Sequence, residues 1–159
     1  MMVEKISVWA GELAVVDKPC LLEAIGLGSC IAVCLYDEIH EIGGLAHIML
    51  GHRPENTREE INPLRYADKA IDELIKEMMA VGSKQYNLKA KIFGGAAMFS
   101  NSIFRIGDQN IKAVKEKLAE KKIRVIAEDV GGKKGRNVWF NTEDGTVVVG
   151  NAFGSTKEY

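Results

Sequence analysis

Apolar residues along this chain come in short clusters set off by glycines, prolines and charges, and most clusters are too short to be helices. Segments 3–8 and 13–16 are separated by Ala10-Gly11-Glu12, and Pro19 breaks the chain before segment 21–25. The run Ile31-Ala32-Val33-Cys34-Leu35-Tyr36 is apolar throughout, which predicts a buried strand rather than an independent helix. Residues Asp37 to Glu41 read as the turn back, 42–50 as the next strand and 51–60 as a polar loop. The period then changes. Asn62-Pro63 pairs an N-cap residue with proline at a first helical position. Leu64, Ala67, Ile71, Leu74, Ile75 and Met78 follow at helical spacing, so a helix is predicted from there toward Gly82, with one face packed on the sheet.

Segment 88–93 reads as a strand running into Gly94-Gly95-Ala96-Ala97. Asp108 is the predicted cap of a second helix with a narrower stripe of Ile111, Val114 and Leu118. Segment 123–127 is another strand, and 138–141 with 146–149 forms a hairpin around Glu143-Asp144-Gly145. The polar tail 154–159 is expected to fray. Many short strands with two helices inserted predict an α/β fold of the mixed, α+β kind. Its expected architecture is layered, with mixed sheets and flanking helices rather than a doubly wound parallel sheet. Neither a repeat nor a linker interrupts the chain, so residues 1–159 are read as one domain, long enough to bury a core without staples.

Composition narrows the function classes. The net charge is −1, from 21 basic and 22 acidic residues, so no long-range field draws the chain to nucleic acid or an anionic membrane. Its first residues lack the apolar core of a signal peptide, and no apolar run approaches the length of a membrane helix. Three cysteines make an odd number, which implies no complete disulfide framework and a reducing cytoplasm.

Candidate chemistry concentrates at Gly26-Leu27-Gly28-Ser29-Cys30. A thiol nucleophile needs backbone freedom, amide donors nearby and an imidazole to take its proton. Glycines supply the first, and the amides of Gly28, Ser29 or Cys30 could form an oxyanion hole. His47, on the strand predicted at 42–50, shares a face with Leu45 and Met49 and so points into an apolar layer. Both residues also have a structural reading, as a buried thiol and a core histidine bonded to a carbonyl. That structural reading fits Cys34, inside the apolar run, better than Cys30. His40 and His52 sit in predicted turns and are expected to be solvated. Cys30-x3-Cys34 with His47 and His52 lacks the paired spacing of structural zinc, and no metal or cofactor is expected. The loop Gly131-Gly132-Lys133-Lys134-Gly135-Arg136 matches no Walker loop and reads as a solvated turn, with anion contact as the alternative.

Five ordered segments resemble the CheD family of chemoreceptor glutamine deamidases. They are Gly26-Leu27-Gly28-Ser29-Cys30, Ala46-His47-Ile48-Met49-Leu50, Tyr66-Ala67-Asp68, Lys91-Ile92-Phe93-Gly94-Gly95-Ala96-Ala97-Met98-Phe99, and Glu128-Asp129-Val130-Gly131-Gly132 with Arg136. The resemblance runs nearly end to end. It implies a sandwich similar to the toxin-type cysteine deamidases, with Cys30 as nucleophile and His47 as base in a thioester mechanism. The implied substrates are side-chain carboxamides of methyl-accepting chemotaxis receptors, and the implied partner is the phosphatase CheC. It also implies a threonine as third catalytic member six residues before the cysteine. Here that position is Ala24, which has no hydroxyl, so His47 needs another orienting group such as a backbone carbonyl. The rival reading is a receptor- and CheC-binding module with weak or no turnover. A depressed Cys30 pKa would mark the enzyme, and an inert thiol the module.

Overall fold

A computed structural model describes residues 3–51, 62–97, 105–151 and 153–159. Ten strands form two five-stranded mixed sheets. One contains β1 (Lys5–Ser7), β3 (Leu21–Leu27), β8 (Arg136–Asn141), β9 (Val147–Asn151) and β10 (Thr156–Glu158), in that spatial order. The other runs β2 (Leu13–Val16), β5 (Ile42–Ile48), β4 (Ile31–Asp37), β6 (Leu88–Gly94) and β7 (Arg124–Val130). Among the described strands, β1–β3 and β6–β7 pair in parallel and the other pairs are antiparallel. The α-helices of the described residues are α1 (Ala67–Ala80) and α2 (Ile106–Glu120).

The alternation of side chains along a strand explains the layering. On β4, Ile31, Val33 and Leu35 face Ile71, Leu74, Met78, Val114 and Leu118 of the helices. Ala32 and Cys34 of the same strand face the other sheet, among Leu22, Ala24, Leu45, Phe93, Val138 and Phe140. Thus β4, buried on both faces, reads as a continuous apolar run because it is the middle of three layers.

Several boundaries differ from the pattern-based expectation. Pro63–Arg65 form only a 3-10 turn, with the Asn62 side chain accepting from the Leu64 amide. Tyr66 is drawn into extended geometry by a bridge to Leu50, so α1 restarts at Ala67. Asp108 lies inside the first turn of α2 and pairs with Arg105 at 2.7 Å instead of capping. β3 continues two residues past Ile25, to Leu27, through a bulge at Gly26, whose φ of 73° is the left-handed conformation that glycine tolerates. Finally, the tail does not fray. β10 pairs with β9, the Tyr159 ring packs 5.3 Å from that of Phe93, and its hydroxyl donates to Asp129 at 2.6 Å.

Candidate active site

Strand register brings the two sequence candidates to one place. His47 pairs with Ala32 across the β5–β4 ladder, and Cys30 lies two residues from Ala32, just before β4. Residues two apart share a face, so Cys30 and His47 are diagonal neighbours, a relation that spans about 7–8 Å between Cα atoms. That face is the space between the sheets. Cys30 is half-buried against its apolar cluster, and His47 is buried.

The two ring nitrogens of His47 have different surroundings. Nδ1 bonds the Val8 carbonyl at 2.9 Å, which makes it the protonated nitrogen of a neutral ring. Nε2 is buried and has no partner among the described residues. The backbone of His47 is held as well, its carbonyl accepting from Gly11 and its amide donating to Glu12. Val8 is itself fixed, since its amide donates to the Glu23 carbonyl at 2.7 Å. Ala24 is fully buried on β3 beside Glu23 and supplies only a methyl group to the core. The carbonyl expected to orient His47 in place of a hydroxyl is therefore that of Val8.

The turn carrying Cys30 is secured through three consecutive carbonyls. Gly28 accepts from Ala96 at 2.8 Å, Ser29 from the Asn110 side chain at 2.9 Å, and Cys30 from Gly95 at 2.9 Å. With those carbonyls engaged, the Gly28 and Ser29 amides have no backbone acceptor among the described residues. The freedom expected of both glycines is used only by Gly26, because Gly28 keeps a negative-φ backbone. Gly94, at φ 116°, lies against the Cys30 carbonyl, where any Cβ would collide.

Three further contributors brace the site, and of these only Arg136, in the last of the five resembling segments, is marked in the sequence. Asn110, buried on α2, donates from Nδ2 to both Ser29 and Met49, tying the Cys30 turn to the end of the His47 strand. Arg136 bonds the carbonyls of Gly94 and Gly131 and pairs with Asp129, bracing the loop behind Cys30. The third is Val8, whose contribution is a backbone atom.

Electrostatics run against the simplest expectation for a reactive cysteine. Burial pushes the Cys30 thiol up rather than down, and burial pushes the His47 imidazole down despite its bond to Val8. Both shifts favour the uncharged forms, thiol and neutral imidazole. Cys34, fully enclosed, is pushed up much further by the same cause and fits its structural reading. His40 is exposed, as expected of a turn residue. Its ring also bonds Asp37 at 2.9 Å and helps close the β4–β5 turn. His52 lies outside the described residues.

A family model described as CheD chemotactic sensory transduction matches residues 49–151. Across 161 aligned residues, covering 99% of both chains, the sequence is 42% identical to the chemoreceptor glutamine deamidase CheD of Halalkalibacterium halodurans. Proteins of two Clostridium botulinum strains, each named probable chemoreceptor glutamine deamidase CheD, are 44% identical over 164 residues at the same coverage. This chain belongs to the CheD family. The stretch matched by the CheD model holds both helices, while Cys30 and His47 precede it and fall within the full-length likeness to the CheD relatives. No described helix is long and apolar enough to cross a membrane.

Proposed function

We propose that this member of the CheD family hydrolyses the side-chain amide of chemoreceptor glutamines, with Cys30 as nucleophile and His47 as general base. The observation that carries the mechanism is His47 itself: Nδ1 is held by Val8, and a buried, unpartnered Nε2 lies on the face that carries Cys30. Since both groups rest neutral, the proton leaves sulfur as attack proceeds. Sγ bonds the amide carbon while Nε2 takes the thiol proton, and the unengaged amides of the turn receive the developing oxyanion. The tetrahedral adduct collapses, His47 returns the proton to the leaving nitrogen, and ammonia departs. A water molecule then gives its proton to Nε2 and its oxygen to the thioester carbon. Glutamate leaves and the thiol is restored. No metal or cofactor is required by these steps. We assign the reaction to the cytoplasm, a reading that three free cysteines support.

The test is ammonia release from a purified chemoreceptor cytoplasmic fragment. Cys30→Ala is expected to abolish release, and His47→Gln to lower it by about 10²–10⁴-fold, the usual worth of a general base. Undiminished release by Cys30→Ala would sink the assignment.

Two observations favour a second reading, a module that binds receptors and CheC with weak turnover. Ala24 supplies no hydroxyl to the site, and the thiol is raised rather than depressed. In that case the Cys30→Ala protein would bind the receptor fragment and CheC as tightly as the unmodified chain and change no signalling readout.

A further inference from the structure

The end of the sandwich that holds Cys30 also holds a basic cavity that the proposed chemistry leaves unused. Strand registers locate it. Ile31, beside Cys30, is level with Ile48 and Gly94, and Gly94 with Val130. On the facing sheet, Leu27 is level with Arg136, and Arg136 with Asn151. The nucleophile turn, the 131–136 loop and the start of β10 therefore share one rim. Between that loop and β10 lies a cavity of about 470 Å³, lined by Asp129, Lys133, Lys134, Arg136, Asn151 and Lys157.

The charges in this cavity do not cancel. Asp129 is spent on Arg136, at 3.1 Å, and on the Tyr159 hydroxyl. Lys133, Lys134 and Lys157 are exposed and make no ion pair with any described residue. Lys134 stands 4.7 Å over the ring of Phe153, which is 77% exposed. The whole chain carries a net charge of −1, so this local excess is not a by-product of a basic protein. Cavity and nucleophile turn are two to three strands apart, roughly 10–15 Å at strand spacing. Side chains about two turns apart on an α-helix are separated by a similar ~11 Å.

We propose that this cavity is a second substrate subsite, which binds carboxylate side chains of the polypeptide whose glutamine lies at Cys30. The proposal rests on the deamidase reading and adds a sequence preference to it. Lys133, Lys134 and Lys157 are its specificity determinants, and the preferred segment carries glutamate or aspartate about two helical turns from the target.

The experiment compares ammonia release from a chemoreceptor cytoplasmic fragment with release from the same fragment whose nearby glutamates are changed to glutamine-free neutral residues. Lys133→Glu/Lys134→Glu is expected to raise KM for the acidic fragment at least tenfold, with the loss on KM rather than kcat. The neutralised fragment is expected to lose that advantage with the unmodified enzyme and to lose nothing more with the variant. Lys69→Glu/Lys76→Glu, the same charge change on the exposed side of α1, controls for net charge and should leave both constants unchanged. If the double glutamate variant folds poorly, Lys133→Gln/Lys134→Gln provides the same comparison with a smaller expected rise. An unchanged KM overturns the proposal. So does a competitive effect of inorganic phosphate combined with indifference to the glutamates, which would make the cavity a phosphate site. If the unmodified chain releases no ammonia, the deamidase reading fails separately. Titration of the fragment then decides the subsite, with at least tenfold weaker binding by the glutamate variant supporting it and equal binding overturning it.

Discussion

Burial acts on Cys30 and His47 in opposite directions of pKa and to one effect, since each shift favours the uncharged form. A pre-formed thiolate–imidazolium pair would require the reverse. Alkylation of Cys30 by iodoacetamide should therefore rise with pH and reach its midpoint above 9.0, the ordinary thiol value from which burial raises it. Mass mapping would separate Cys30 from buried Cys20 and Cys34. A midpoint below neutrality would contradict the neutral resting pair. Asn110 makes a second residue-scale prediction, as a positioning residue that holds backbone on both sides of the pair. Asn110→Ala leaves two inward carbonyls without their donor, at a stability cost of about 1–3 kcal/mol. Its functional signature is a fall in kcat with KM retained, because the reacting geometry and not the substrate surface is disturbed. A variant that lost stability alone, with kcat intact at a temperature where it is folded, would remove Asn110 from this role.

Among the elements, β10 has the greatest effect for its size. It is three residues long and polar, TKE, and nothing in that pattern marks a strand. Its order comes from the residue after it, because Tyr159 packs on Phe93, donates to Asp129 and exchanges backbone bonds with Val147. Tyr159→Ala should release the tail and cost about 1.5–3 kcal/mol for the half-buried ring plus its hydrogen bond. Thermal denaturation would read the loss as a lowered Tm, and hydrogen exchange should localise it to β9 and β10. An unchanged Tm would mean that the tail is held by something else. The same limit governs what could be read ahead of the structure. β2, β4, β5 and β6 were legible because each writes its burial as apolar residues. Tyr66 and the tail were not, because a bridge to Leu50 and a ring on Phe93 are made by residues distant in the chain. The orienting partner of His47 was foreseeable only as a kind of group, a carbonyl, since backbone atoms leave no residue signature.

For the molecule as a whole, two mixed sheets and one helical layer gather the ends of several strands on a single rim. The Cys30 turn comes from the β3–β4 connection, the His47 imidazole from β5, the carbonyl bonded to it from the residue after β1, and the Asn110 amide from α2. Such a site cannot form before the sheets meet, so its geometry reports on the intact sandwich. The half-buried thiol of Cys30 has a consequence of another kind. Peroxide oxidises thiolates, not thiols, and the first product, a sulfenic acid, leads on to irreversible acids. On the proposed mechanism, a cysteine kept protonated until an amide carbon arrives is shielded during the intervals without substrate. Durability under oxidative stress would then follow from the same burial that favours the protonated thiol.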